Sequence, residues 1–156
     1  MRIVAAVSEE QIAHVRRLFQ EYWDSFGFTP CFQNFGQELA ELPGKYAPPG
    51  GRLGLALAED GACGPAGCVA LRPIDAARCE AKRLYVRPEA RGHGLGAALL
   101  GWVIAEARAA GYGELLGDTM PVMEQALAMY DRFGFERIGP YGDQATPGAI
   151  YLRLKL

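Results

Sequence analysis

Residues 83–98 read RLYVRPEARGHGLGAA. A run of strand formers stops at Pro88, and Gly92, Gly94 and Gly96 then alternate with His93 and Leu95. A helical pattern follows at once. This junction constrains the fold more than any other stretch, because a strand must end here and feed a helix. The glycines either turn the chain or let its backbone come close to something. The first turn of a helix has unpaired N–H groups and a partial positive charge. Without Cβ atoms in the way, a phosphate can approach those N–H groups, and Arg91 could add a charge-assisted contact. A tight connection without any ligand accounts for a lone glycine loop equally well.

The rest of the chain supplies the context. Residues 2–7 predict a strand. Ser8 and Gln11 have the spacing of a capping box. Ile12, Val15, Phe19, Tyr22 and Phe26 recur at helical intervals, so a helix is expected over 9–26, stopped by Gly27. A short helix is expected over 34–41, then a Pro- and Gly-rich loop. From Arg52 the period changes to two, with Leu53, Leu55 and Leu57 alternating. GCVALRPI makes a second strand and residues 79–86 a third. Their short connections favour antiparallel pairing. Leu95, Ala98, Leu99, Trp102, Ala105 and Ala109 mark a helix face ended by Gly111. Residues 114–118 predict a strand, which makes 79–118 a βαβ unit with parallel outer strands. Pro121 is expected to open a helix carrying Ala126, Leu127, Tyr130 and Phe133. FERIG and AIYLRLKL close the chain as strands. The order predicts an α+β fold with a mixed, mostly antiparallel sheet and helices on both faces.

Composition narrows the function. The 156 residues suit one domain, 1–156, and half are hydrophobic. Sixteen basic against 18 acidic side chains give a net charge of −2, which argues for no nucleic-acid partner. No apolar run could span a bilayer and MRIVAAVSEEQ is no secretory signal, so no membrane partner and a cytoplasmic location are expected. Cys31, Cys63, Cys68 and Cys79 form no CxxC pair and have no histidine at metal spacing. They read as buried thiols, with no metal site.

Two patterns compete over the glycine loop. As G-x-G-x-x-A, residues 92–97 fit a dinucleotide fingerprint, which would imply a nucleotide-dependent oxidoreductase using NAD. That fingerprint normally follows the first strand of a doubly wound fold, whereas here three strands precede it. As R-x-x-G-x-G, Arg91, Gly94 and Gly96 fit a second pattern. ALAMYDRFGF, from Ala126 to Phe135, supplies a further block, A-x-x-x-Y-x-x-x-G-F, one βα unit later. With both blocks in this order, the stretch 80–135 resembles the GCN5-related N-acetyltransferases (GNAT).

The resemblance implies an acyltransferase, an N-acetyltransferase using acetyl-CoA. It implies that Arg91 and the amides of Gly92, His93, Gly94, Leu95 and Gly96 hold the CoA pyrophosphate. A bulge near Leu84–Val86 would splay that strand from residues 114–118. The pantetheine arm would then pair with the backbone of Leu84, Tyr85 and Val86. Tyr130 matches the family tyrosine that protonates the departing thiolate, against a plain helix residue by spacing alone. Glu80 stands at the offset of a catalytic glutamate in histone-acetylating members. An apolar strand setting would raise its pKa and suit it as a base; a salt bridge to Lys82 is the plain alternative. Met123 departs from the family, since many members have asparagine there. Asp118 and Thr119 end the strand after the glycine helix and read as caps of the next helix, or else as substrate contacts.

The expected reaction is direct attack by a primary amine on acetyl-CoA in a ternary complex. The expected acceptor is a small molecule or amino-acid-like amine. Tyr22, Phe26, the 27–51 loop with Phe28, Phe32 and Phe35, and Tyr141 to Asp143 are candidate walls. A non-catalytic acyl-CoA-binding module is the rival outside enzymology. The alternating terminal strand could pair across a homodimer.

Overall fold

Arg52–Leu57, Gly67–Pro73 and Arg78–Val86 pair consecutively and antiparallel, as their short connections require. The computed structural model describes residues 1–26, 34–59, 64–142 and 147–156. In chain order its elements are β1 (Arg2–Ala5), α1 (Glu9–Asp24), α2 (Phe35–Glu41), β2 (Arg52–Leu57), β3 (Gly67–Pro73) and β4 (Arg78–Val86). There follow α3 (Leu95–Ala109), β5 (Glu114–Thr119), α4 (Glu124–Arg132), β6 (Glu136–Ile138) and β7 (Ile150–Lys155). Single 3₁₀ turns sit at Gly44–Tyr46 and Pro88–Ala90. The described strands form one sheet in the order β1-β2-β3-β4-β5-β7-β6. Its one parallel pair is β4 with β5, joined by α3.

Two apolar clusters sandwich the sheet. On one face α3 and α4 pack against Val69, Leu71, Cys79, Ala81, Leu115 and Leu152. On the other, α1 and α2 cover Leu53, Leu55, Cys68 and Ala70. Each fully buried leucine of these clusters contributes about 1.5–3 kcal/mol relative to exposure. The capping box forms: Gln11 N donates to Ser8 Oγ at 3.2 Å, and Ser8 N donates to Gln11 Oε1 at 3.1 Å. Helix α1 ends at Asp24, so Phe26 lies beyond it; Gly27, Phe28, Cys31 and Phe32 lie outside the described residues, as do Cys63 and Asp143. Cys68 and Cys79 are buried free thiols.

Three expectations need correction. Helix α3 buries Leu95, Leu99, Leu100, Val103, Ile104 and Ala107, and it leaves Ala98, Ala105 and Ala109 exposed. The helix is apolar almost all round, so alanines gave no direction and the larger side chains chose the face. Helix α4 starts at Glu124, because residues 120–123 first make a turn closed by Met123 N donating to Met120 O. Strand β7 is interior, between β5 and β6. It pairs with β5 along its length and with β6 at Tyr151–Arg153, so it is not the free edge strand that the homodimer expectation used.

The sheet opens at one place. Strands β4 and β5 pair at Arg78↔Glu114, Cys79↔Leu115 and Glu80↔Leu116 and no further. On its other side β4 slips register against β3, from Ala70↔Lys82 to Cys68↔Tyr85. Arg83 and Leu84 therefore stand opposite Val69 alone, which is a β-bulge. Arg83 takes the left-handed conformation, φ 58°. The bulge starts one residue before the stretch expected from sequence. Beyond it β4 and β5 diverge, leaving a wedge between Arg83–Val86 and Gly117–Thr119.

Candidate active site

The glycine loop sits at the mouth of this wedge. Gly92 and Gly94 are left-handed, φ 82° and 77°, and a Cβ on either would meet no protein atom within 4 Å. Gly94 is the N-cap of α3 and provides no side-chain cap. Ala98 N donates to Gly94 O. The amides of Gly92, His93, Gly94, Leu95, Gly96 and Ala97 have no acceptor among the described residues. Six consecutive open donors at a helix N-terminus form an anion cradle. Arg91 is exposed beside them. Its Nε donates to Val86 O at 2.9 Å, and its guanidinium lies 5.9 Å from the Tyr85 ring centre. Those contacts orient the side chain and leave other N–H groups for a phosphate. His93 turns back on its own loop, with Nδ1 2.9 Å from Arg91 O.

Tyr130 projects from α4 beside Phe135, ring centres 5.1 Å apart. Only 6 % of it is exposed. Burial pushes its phenol well above the usual range, and Tyr22 and Asp118 add to the effect. Tyr22 belongs to the α1 face and Tyr130 to the α4 face. Tyr22 itself is pushed up to about 12, chiefly by burial. Its ring lies 5.7 Å from Tyr85 and 5.0 Å from Phe26. Phe35 instead stacks on Trp23 at 4.4 Å, as part of the core.

Glu80 is not the raised carboxyl expected from its strand. It is 3 % exposed, and burial alone would raise its pKa. Lys82, Arg72 and the Tyr141 hydroxyl outweigh burial and hold it below the ordinary value. Arg72 Nε donates to Oε1 at 2.7 Å, Tyr141 Oη donates to Oε2 at 2.6 Å, and Lys82 Nζ is 3.6 Å away. The setting is apolar in sequence but not in space, because Arg72 is its register partner on β3. Tyr141 packs edge-on to Tyr151 at 5.3 Å.

Asp118 does not cap α4. The N-cap position is Met123, which lacks a side-chain cap, and Thr119 Oγ1 donates to Met123 Sδ at 3.3 Å. Asp118 lies on β5 two residues past the last β4 pair. A further buried pair was missed in the sequence. Arg83 Nε and Nη2 donate to Glu38 of α2 at 3.0 and 3.2 Å, and Glu38 also takes Tyr46 Oη at 2.9 Å and Lys45 Nζ at 3.0 Å. The signal was Lys82-Arg83 itself. Two successive charges cannot both face outward on a regular strand, so one must turn in or the strand must bulge.

The family profile described as acetyltransferase (GNAT) family matches residues 13–135. The chain belongs to the GNAT family of acetyltransferases. An uncharacterised N-acetyltransferase of Schizosaccharomyces pombe is 37 % identical over 155 residues, covering 99 % of this chain and 94 % of that protein. An acetyltransferase structure from Streptococcus agalactiae shares the fold, with TM-score 0.81 at 19 % identity over 99 % of this chain and 98 % of that one. A GNAT acetyltransferase from Elizabethkingia anophelis, solved with acetyl-CoA bound, has TM-score 0.57 and 26 % identity, covering 68 % and 76 % of the two chains. This GNAT protein is therefore an acetyl-CoA-dependent N-acetyltransferase, and the open amides at 92–97 fit its diphosphate-bearing donor. The oxidoreductase reading falls, because its fingerprint requires a doubly wound sheet and this sheet is mostly antiparallel. No helix among the described residues is long and apolar enough to cross a membrane.

Proposed function

We propose that residues 1–156 act as one catalytic unit that acetylates the primary amine of a small-molecule or amino-acid-like acceptor, by direct attack within a ternary complex. The wedge between β4 and β5 carries this reading. It offers an unpaired strand edge at Arg83–Val86 leading to the anion cradle at 92–97. Arg91 and the amides of Gly92 to Gly96 hold the pyrophosphate of acetyl-CoA. The backbone of Leu84, Tyr85 and Val86 pairs with the pantetheine arm as an added strand would. A free N–H on that edge faces the thioester and stabilises the oxyanion as the carbonyl becomes tetrahedral.

Tyr130 serves the leaving group. Its phenol is protonated at neutral pH, so it can pass that proton to the thiolate as the C–S bond breaks. The attacking nitrogen sheds a proton at the same stage, which restores the phenol. Glu80 orients Tyr141 and Arg72 on the acceptor side; its depressed pKa and double hydrogen bonding make it a poor proton acceptor. Tyr22, Tyr141 and Tyr151 supply aromatic walls suited to a compact acceptor.

Calorimetric titration with acetyl-CoA, with NAD as control, tests the donor site. Binding of acetyl-CoA alone is expected. Screening primary amines for CoA release then tests the acceptor class. Acetyl-CoA binding with no amine turned over would overturn the amine reading and leave the donor site standing.

A further inference from the structure

The wedge needs a group that makes the incoming ammonium nucleophilic, and Glu80 is already occupied. We propose that Asp118 receives the acceptor's ammonium group and takes its proton, a role that rests on the N-acetyl transfer reading above. Asp118 is the register partner of Tyr151 on β7 and has no β4 partner. Leu116, its neighbour on the same face, is the partner of Glu80, so Asp118 shares the α1 face with Glu80 and Lys82. Its charge also bears on the Tyr130 phenol.

The surrounding acids make the contrast. Glu38 and Glu80 are each held by an arginine at 3.0 Å or less. Among the described residues Asp118 makes no ion pair within 4 Å and takes no hydrogen bond from another side chain; its own backbone N–H bears on the carboxylate. The groups facing it are Lys82, Glu80 and Arg83 from β4, Tyr22 from α1, Tyr130 from α4 and Tyr141 from the segment after β6. Burial raises its pKa, Lys82 and Arg83 lower it, Glu80 raises it, and the balance is upward. A half-buried carboxylate without a contact cation stabilises an arriving ammonium. Once it has taken the proton it is neutral, which burial favours.

The protons balance. R–NH₃⁺ gives one proton to Asp118, and the freed lone pair forms the C–N bond at the thioester carbon. Collapse breaks the C–S bond. The second nitrogen proton passes by way of Tyr130 to the thiolate, giving CoA–SH and the amide. Asp118 returns its proton to water after product leaves.

The test uses ethylamine, protonated at neutral pH, and hydroxylamine, which is largely not. CoA release from acetyl-CoA is followed for wild type and Asp118→Asn. The ratio of ethylamine to hydroxylamine rates should fall about 100-fold in the variant, with acetyl-CoA affinity by calorimetry retained. The inflection that Asp118 contributes to the acid side of the wild-type ethylamine profile should also be lost, leaving only the steady rise of free ethylamine with pH. An unchanged ratio, or the same inflection persisting in the variant, overturns the assignment. Should Asp118→Asn not fold, carbon NMR titration of the Asp118 carboxyl in wild type with acetyl-CoA decides. Its midpoint should match that inflection, and a mismatch overturns the proposal. Transfer to neither amine despite acetyl-CoA binding overturns the small-amine acceptor reading on which this assignment rests.

Discussion

At Cys79 and Glu80, β4 is paired on both sides; from Ala81 to Val86 it has β3 alone beside it, with the bulge at Arg83 and Leu84. The two halves belong to one strand but present different materials. The second half and the glycine loop after it offer backbone: an open strand edge and six open amides. The first half offers side chains, with Glu80, Lys82 and their neighbours Arg72, Tyr141 and Asp118 gathered from four separate segments. A backbone site tolerates changes of side chain but not of conformation or bulk. A side-chain site should behave in the opposite way. The bulge at Arg83 divides them.

The sharpest way to break the backbone half is Gly94→Val. The new Cβ meets no protein atom within 4 Å, so the fold loses only about 1–2 kcal/mol from the left-handed backbone. Its bulk would stand in the cradle. Acetyl-CoA affinity should fall more than about 100-fold, equivalent to about 2.8 kcal/mol, while circular dichroism shows a folded protein. Normal affinity in a folded variant would show that the cradle does not hold the donor.

The divide itself is tested by Glu38→Gln. Arg83 and Glu38 are both largely buried, and removing one partner leaves the other charge uncompensated. Urea unfolding should show a loss of about 3 kcal/mol. Burial alone would raise the Glu38 pKa, but Arg83 and Lys45 hold it below the ordinary value. A depressed native pKa contributes stability above the unfolded-state value, and that contribution is lost as pH falls through the native one. Wild type should therefore lose stability on acidification over that window, and Glu38→Gln should lose less. An equal loss in both would remove the pair from the account.

The same divide explains what the sequence could reveal. The half proposed for the donor was legible because it is built from backbone conformation, and local residues fix that: Pro88, Arg91 and the glycines fall within one short stretch. The βαβ unit and the capping box at Ser8 were legible for the same reason. The acceptor half was not. Glu80 looked like a carboxyl in an apolar strand because Arg72 meets it only through the β3–β4 register, and Tyr141 reaches it from 61 residues away. Asp118 looked like a cap because its spacing suits one; that it has no ion pair among the described residues is a property of the folded wedge. Alanines on α3 misled for a different reason, since they are compatible with either a buried or an exposed face.

Tyr130→Phe sharpens the comparison where the two halves meet. The ring and its packing on Phe135 remain, so acetyl-CoA affinity should hold. Loss of one proton-handling hydroxyl should lower kcat by about 10- to 100-fold, at or below the usual range for general acid catalysis. An equal rise in KM for acetyl-CoA with kcat intact would assign Tyr130 to binding instead.

The smallest expected effect is the most discriminating for the backbone half. His93 lies inside the cradle, and a histidine between two glycines invites a catalytic role. Its ring is exposed and faces its own loop, with Nδ1 against Arg91 O. If the site is made of amides, the His93 N–H matters and the imidazole does not. His93→Ala keeps the amide, so acetyl-CoA affinity should change by less than about threefold, about 0.7 kcal/mol, and the pH profile of kcat should be unaltered. A larger loss of affinity, or a pH limb that disappears with the ring, would mean that a side chain works on the donor side too. The division of β4 into a backbone half and a side-chain half would then be wrong.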